Sequence, residues 1–223
     1  RELLSEDGVF SFEASYLMDV VDHTLFDMTY HEHLAYHSVK PLKAFFDANG
    51  MEMIEATRVD SHGGSLRGVA QLKGGGRTVG ASVGEMTALE EEKKLDRAET
   101  LVAFGNKINE IKKELGFLLR RLRGEGKTIA GFGAPAKATT LMHHFELGPD
   151  IVDFIVDDSP LKQGLFSPGF HIPILPSQAI YEQKPDYLLI LAWNFAEPIM
   201  KKHQAFSKAG GRFITPLPQI GIF

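Results

Sequence analysis

The last hundred residues alternate between short apolar runs and helical patterns, and this alternation constrains the fold more than any other feature of the chain. The pattern predicts strands at 127–131, 151–156, 187–192 and 212–215, separated by helices at 135–144, 177–183 and 197–209. Strands that alternate with helices form parallel sheets with right-handed crossovers. We therefore predict an α/β fold with a Rossmann-like parallel-sheet domain over residues 124–223.

The first part of the chain has fewer elements than an independent α/β domain normally contains. Apolar patterns predict strands at 8–17, 51–58 and 65–72 and one good helix at 40–48, which ends at an Asn-Gly pair. The chain starts with Arg1, in a stretch that leads directly towards the first of these strands. We therefore expect it to be a fragment of a longer protein.

The clearest periodicity lies between these two parts. Apolar residues from Leu101 to Leu122 recur in steps of three and four and so share one helical face. Acidic residues at the start and basic residues at the end complement the helix dipole. We predict one helix from Ala88 to Arg123, within a connecting segment at 86–123, that packs against a domain or pairs with a second copy in an oligomer.

Composition excludes several classes of protein. The 223 residues include no cysteine and carry a formal net charge of −5. A disulfide framework, a Cys-ligated zinc site and a thiol nucleophile are therefore ruled out, and a cytoplasmic location is expected. The mild acidity argues against nucleic acid as a partner. No apolar stretch approaches the ~18 to 20 residues that cross a bilayer, so we expect no membrane partner.

A glycine-rich turn opens the C-terminal domain, between a predicted strand and a predicted helix. Its candidate binding residues are Gly131, Gly133, Ala134 and Lys137. In this context a G-x-G-x-x-A pattern lets the backbone approach a diphosphate. Asp157 follows the second strand, where a ribose-binding acid would lie, and Asn194 follows the third. The alternatives are a tight turn with close helix packing for the glycines and a helix N-cap for Asn194.

A dense set of acid–base side chains occupies the run Tyr30-His31-Glu32-His33. Imidazole titrates near neutrality, and neighbouring groups can orient it, so the run is a candidate for proton transfer. A zinc site is the alternative, because His33 and His37 are four residues apart and could share a helical face. Their spacing is not H-E-x-x-H and no third ligand is evident, so we predict no metal site.

Four motifs in this order resemble one enzyme family. They are Tyr30-His-Glu-His-Leu34, His62-Gly-Gly-Ser-Leu-Arg67, the turn from Gly131 to Ala138, and Asp157-Asp-Ser-Pro160 with the Lys-Gln-Gly and Pro-Gly that follow. Together they are similar to the S-adenosylmethionine-dependent sugar C-methyltransferases, which act on dTDP-linked keto-deoxysugars. The resemblance extends over most of the chain.

The resemblance implies a protein of three parts: a zinc-binding N-terminal module, a methyltransferase domain that binds S-adenosylmethionine, and a C-terminal Rossmann-like domain. Residues 1–85 would then be the C-terminal portion of the methyltransferase domain, without its glycine-rich cofactor motif. Any zinc would belong to the N-terminal module, which this sequence does not include.

The resemblance also implies a reaction. A base removes the proton next to a sugar ketone, and the enolate attacks the sulfonium methyl group. His33 is the predicted base, with Tyr30 and Glu32 orienting it or stabilising charge on the ketone oxygen, although each of the three stays a candidate for the proton acceptor. Further predicted contacts to the substrate or cofactor are Glu13, for which a carboxylate at a strand edge is the alternative, and His62, Gly63 and Ser65, whose glycine loop could instead only turn the chain. The C-terminal turn, with Asp157 and Asn194, would bind the nucleotide diphosphate.

Two other functions are compatible with the sequence. One is a nicotinamide-dependent oxidoreductase that binds NAD through the glycine turn and Asp157, which leaves the Tyr-His-Glu-His run without a role. The other is a non-catalytic module that binds a nucleotide sugar.

Overall fold

The computed structural model describes the backbone of residues 1–223 and every side chain except that of His62. The chain forms two compact units. The first comprises Arg1–Leu25 and His33–Gly105, and the second comprises Phe26–Glu32 and Asn106–Phe223. The predicted domain boundaries at 85 and 123 stay a prediction.

The first unit contains a three-stranded antiparallel sheet and three helices. The strands are β1 (Val9–Ser15), β2 (Met51–Val59) and β3 (Ser65–Leu72), in the order β1-β3-β2. The helices are α1 (Leu17–Asp22), α2 (Val39–Ala48) and α3 (Ala81–Glu92). The three predicted strands and the helix at 40–48 are confirmed. Helix α1 was not predicted, because its apolar residues directly continue the apolar run of β1.

The N-terminus of α2 is capped by a buried carboxylate from α3. Glu90 accepts hydrogen bonds from the backbone N–H of Val39 (2.5 Å) and of Lys40 (3.0 Å), and the Tyr16 hydroxyl donates to it at 2.9 Å. Burial, reinforced by the charge of Glu90, raises the pKa of Tyr16, which therefore stays a hydrogen-bond donor. This arrangement satisfies two amides that a helix end leaves without intrahelical partners.

The predicted single helix from Ala88 to Arg123 is wrong, because the chain forms two helices. Helix α3 ends at Glu92, and α4 spans Ala98–Gly124. Between them, Lys94 adopts a left-handed φ of 53°, and the N–H groups of Lys94 and Leu95 donate to the carbonyls of Glu91 and Glu90. This is a Schellman-type helix end. Leu95 is thereby buried in the core of the first unit, which offsets the backbone strain.

Helix α4 has 27 residues, and its apolar stripe is only partly buried. Ile108, Ile111 and Leu115 are buried, whereas Leu101, at the start of the stripe, is 45% exposed. Pairing of this helix with a second copy stays a prediction. No helix in the described part of the chain, α4 included, is long and apolar enough to cross a membrane.

The second unit has a six-stranded sheet in the order β6-β5-β4-β7-β8-β9. The strands are β4 (Ile129–Phe132), β5 (Ile155–Val156), β6 (Ile174–Leu175), β7 (Tyr187–Ile190), β8 (Arg212–Thr215) and β9 (Gly221–Ile222). The first five are parallel and β9 is antiparallel, so the predicted α/β fold with a parallel sheet is confirmed. The two-residue strands β6 and β9 were not predicted, because they are too short to show a pattern.

Four further helices follow the strands: α5 (Ala136–Phe145), α6 (Ala179–Gln183), α7 (Ala196–Lys202) and α8 (Gln204–Lys208). The predicted helix at 197–209 is therefore interrupted, at His203. This residue is buried, and its Nδ1 is hydrogen-bonded to the Tyr181 hydroxyl at 2.9 Å. That tertiary contact accompanies a backbone that leaves helical geometry (φ −106°, ψ 31°).

The strand order of the second unit reverses at β4. The chain adds β5 and β6 on one side of β4 and then β7 and β8 on the other. In open α/β sheets, the crevice at the carboxyl ends of the strands on either side of such a reversal is the usual place for a ligand. The residues that follow β4 and β7 are therefore the best-placed candidates for a binding site in this unit.

Candidate functional site

The glycine turn lies where the sequence indicated, between β4 and α5. Gly133 has a φ of +91°, and a Cβ there would lie 2.7 Å from the Cβ of Ala192, which follows β7. Gly131 lies in β4, and a Cβ there would lie 2.9 Å from a methyl group of Leu191. Gly133 therefore requires glycine, both for its backbone conformation and because the Ala192 Cβ packs against it, whereas a side chain at Gly131 would require the Leu191 side chain to move.

Asp157 joins this turn to the loop after β5. One carboxylate oxygen accepts a hydrogen bond from the Ala134 N–H (2.7 Å), and the other accepts one from the Ser159 N–H (2.8 Å). The Lys162 ammonium lies 3.2 Å away. Burial by itself raises the pKa of Asp157, but the two amides and Lys162 outweigh it and lower that pKa. The carboxylate is thus ionised and engaged within the protein, and its contact to a ribose stays a prediction.

Lys137 and Asn194, both predicted as binding residues, are in direct contact. The Lys137 ammonium donates a 2.7 Å hydrogen bond to the Asn194 side-chain oxygen and lies 4.7 Å from the centre of the Trp193 ring. Lys137 is only 8% exposed. A lysine in the first turn of α5 therefore sits against the segment that follows β7, at the carboxyl edge of the sheet.

Asp27 also contacts Lys137 and Trp193, and the sequence analysis did not predict it as a site residue. Its side chain is fully buried; Oδ2 accepts a 2.7 Å hydrogen bond from the Trp193 indole N–H and lies 3.7 Å from the Lys137 ammonium. Oδ1 is buried and has no hydrogen-bond partner among the described residues. Two signals were available in the sequence: Trp193 is the chain's single tryptophan, and Asp27 lies three residues before Tyr30.

Burial disfavours the charged forms of Asp27 and Lys137. It raises the pKa of Asp27, an effect that the attraction of Lys137 and the hydrogen bond from Trp193 reduce. It lowers the pKa of Lys137, and the nearby Asp27 reduces that effect in turn. Each residue therefore stabilises the charged form of the other against the effect of burial.

The predicted catalytic run has no helical structure. Tyr30 is half-buried and its ring meets the His31 ring edge-on at 5.9 Å, while the His31 and Glu32 side chains are 83% and 65% exposed. Tyr30 and Glu32 belong to the second unit, and the half-buried His33 to the first.

The helical face considered for a zinc site is absent. The backbone from 29 to 37 forms a bend and a turn followed by irregular chain, so His33 and His37 do not share a helical face. Within the described side chains, no group of three or more His, Asp or Glu residues is placed to hold a metal ion.

The hairpin loop between β2 and β3 is held by polar contacts within the first unit. Glu13 accepts two hydrogen bonds from the Arg67 guanidinium, at 2.9 and 3.2 Å, and a further one from the Ser61 hydroxyl. Ser65 is buried and donates to the Ser61 carbonyl at 3.1 Å. Gly63 has a φ of +92°. The prediction for His62 concerns a side chain outside the described part of the structure.

Among the described residues, neither unit by itself shows a built site for S-adenosylmethionine. In α/β enzymes a nucleotide cofactor lies at the carboxyl ends of parallel strands. The described strands of the first unit are all antiparallel. In the second unit, Ala192 packs against the Gly133 turn and the Ala134 N–H already donates to Asp157, so a phosphate group bound there would have to share this donor.

Comparison with known proteins shows the family to which the chain belongs. Residues 60–218, more than half of the chain, match the family described as the C-methyltransferase C-terminal domain, and the chain belongs to this family. Among its relatives is C-methyltransferase NovU of Streptomyces niveus, which is 35% identical over 217 residues, covering 97% of this chain and 52% of the relative. The chain thus spans about half the length of that curated relative. The resemblance to C-methyltransferases is confirmed.

Proposed function

We propose that this chain forms the proton-abstracting and sugar-nucleotide-binding part of an enzyme that methylates a carbon atom of a nucleotide-linked keto-deoxysugar. The observation that carries the proposal is the 35% identity with a C-methyltransferase over 97% of the chain. Residues 1–85 would be the C-terminal portion of a methyltransferase domain, and residues 124–223 would form the Rossmann-like domain. Residues 86–123 would connect the two. S-adenosylmethionine would supply the methyl group.

The chemistry assigned to this chain is removal of a proton. His33 accepts the proton from the carbon next to the sugar ketone, and the electron pair of that C–H bond moves onto the ketone oxygen as an enolate. Tyr30 and Glu32 orient the imidazole or stabilise the developing charge. The support for this assignment is the exposure of His31 and Glu32 and the half-buried positions of Tyr30 and His33, which leave the run open to a small substrate.

Substrate contacts are assigned to two regions. In the first unit they are Glu13, His62, Gly63 and Ser65. In the second unit they are Gly131, Gly133, Ala134, Lys137, Asp157 and Asn194, which would take the nucleotide diphosphate. The support for the second set is its place at the carboxyl edge of a parallel sheet and the cation of Lys137. Since Ala134 and Lys137 already donate to Asp157 and Asn194, a diphosphate would share these donors.

Proton removal can be tested without the methyl donor. The chain is incubated in D2O with a dTDP-linked 4-keto-6-deoxyhexose, and loss of the proton next to the ketone is followed by proton NMR. We expect exchange well above the buffer rate for the unaltered chain and for His31→Ala, and a loss of ~10² or more for His33→Ala. His31 is the matched control because it is an exposed histidine in the same run.

Calorimetric titration with thymidine diphosphate, and with NAD in parallel, decides between this proposal and its alternatives. Saturable binding of thymidine diphosphate together with exchange supports the proposal. Binding of the sugar nucleotide without any exchange contradicts it in favour of a non-catalytic binding module. Binding of NAD alone contradicts it in favour of an oxidoreductase.

A further inference from the structure

The segment just before the predicted catalytic run is built into the second unit. Phe26 stacks on Phe145 of α5, with ring centres 5.1 Å apart, and the Thr140 hydroxyl donates to the Thr29 carbonyl at 3.3 Å. Asp27 lies between these contacts and reaches Trp193, which follows β7. The segment thus runs along α5 and is joined to the carboxyl edge of the sheet at Asp27.

The contacts of Asp27 are the buried polar part of this attachment. A fully buried carboxylate is strongly unfavourable unless it is paired and hydrogen-bonded. Its compensation comes from the Trp193 indole N–H at 2.7 Å and the Lys137 ammonium at 3.7 Å, and Lys137 is itself held by Asn194 at 2.7 Å. The four side chains therefore depend on one another, and Asp27 brings the backbone of its segment into that arrangement.

Local backbone hydrogen bonds connect the attached segment to the predicted catalytic run. The Thr29 N–H donates to the Phe26 carbonyl and the Tyr30 N–H to the Met28 carbonyl, both at 3.0 Å. These bonds close tight turns, so the position of Tyr30 follows that of Asp27. Small displacements of catalytic groups, of the order of 1 Å, cost about 10²-fold in rate.

We propose that Asp27, Lys137 and Trp193 form a lock, with Asn194 supporting Lys137, that positions the Tyr30–Glu32 segment for proton abstraction. These are positioning residues, and the Rossmann-like unit would use the carboxyl edge of its sheet to hold a segment of its own chain. The proposal rests on the proposed function for the purpose of the segment, although the lock itself can be measured without any substrate.

The lock is tested with the isosteric variant Asp27→Asn, with Lys137→Met, and with the double variant. The control is Lys202→Met, which removes a lysine that pairs with Asp158 on the surface of the same unit. Because Trp193 is the only tryptophan of the chain, its indole N–H gives a single peak in a proton–nitrogen NMR spectrum. Hydrogen exchange of the Thr29 and Tyr30 amides is followed by mass spectrometry, and the sugar exchange assay gives kcat and KM.

We expect Asp27→Asn to shift the indole peak, to speed exchange of the Thr29 and Tyr30 amides by about 10-fold, and to lower kcat by about 10-fold or more with KM changed less than about 2-fold. Lys202→Met changes none of these. If Lys137→Met leaves Asp27 uncompensated and the chain unfolds, the double variant, which removes both charges, is expected to refold.

The outcomes separate the two proposals. Unchanged amide exchange and unchanged kcat in Asp27→Asn overturn the lock. A rise in KM alone also overturns it and assigns the cluster to nucleotide binding. If the unaltered chain shows no sugar exchange at all while Asp27→Asn still loosens Thr29 and Tyr30, the lock stands and the proposed function fails.

Discussion

Glu13 and Arg67 face each other across the register of β1 and β3, and the Arg67 guanidinium donates two hydrogen bonds, at 2.9 and 3.2 Å, to a single carboxylate oxygen of Glu13. The other oxygen accepts a hydrogen bond from Ser61, in the loop between β2 and β3. Glu13 therefore links the middle of the sheet to the loop in which substrate contacts are proposed. Its charge is compensated by Arg67 before any ligand binds.

Replacing Glu13 by glutamine separates a structural from a binding role. Side chains of this pair are 33% and 55% exposed, and such pairs contribute at most about 1 kcal/mol to stability. We expect Glu13→Gln to change the free energy of unfolding in urea by less than about 1 kcal/mol. We expect calorimetric affinity for the sugar nucleotide to fall by about 10-fold, through loss of a charged hydrogen bond. Unchanged affinity would remove Glu13 from the binding site.

Gly133 is expected to tolerate no side chain. Alanine at Gly133 would adopt a φ of +91° and place its Cβ 2.7 Å from Ala192, whereas alanine at Gly126, with a φ of +78°, would meet nothing within 4 Å. Gly126→Ala should therefore cost about 1 to 2 kcal/mol for backbone strain alone. Gly133→Ala should cost about 1 to 3 kcal/mol more, from overpacking. Equal losses for the two variants in urea unfolding would contradict the packing described at the turn.

The buried cap on α2 predicts a large effect at Glu90. Glu90→Ala removes the acceptor for the Val39 and Lys40 amides and leaves the buried Tyr16 hydroxyl without its partner. The expected loss is about 2 to 4 kcal/mol of unfolding free energy. Glu92→Ala, two positions further along the same helix and exposed, should change stability by less than about 0.5 kcal/mol. A similar effect of both substitutions would show that the cap contributes little.

Asp157 predicts a dependence of stability on pH. Its pKa is lowered in the folded chain, so the unfolded chain binds more protons in acid and stability falls as pH decreases. The contribution of the carboxylate is fully present above the unfolded pKa of about 3.9 and is lost as pH falls through the lower folded value. Asp157→Asn should therefore be less stable than the unaltered chain from pH 5 to 7, with the gap closing below pH 4. The measurement is urea unfolding at each pH, and a gap that stays constant to pH 3 would contradict the assignment.

The residue pattern predicted the elements correctly where residues close together in the sequence determine the structure. The antiparallel strands of the first unit and the parallel sheet of the second follow from runs of apolar residues and their turn signals. The helix end at Lys94 could not be predicted, because no glycine or asparagine marks it and the burial of Leu95 offsets its strain. The short strands β6 and β9 exist only through pairing with β5 and β8.

For the candidate site, the sequence by itself determined which chemistry-bearing residues are present and the order of their motifs, because the glycine turn and the Tyr30–His33 run are each continuous in the chain. It also indicated Lys137 and Asn194 separately. Tertiary structure alone decided that they meet, and that Asp27 joins them through Trp193, 166 positions away. The physical reason is that a buried charge is stable only beside its partners, and chain spacing carries no information about which distant residues folding will bring together.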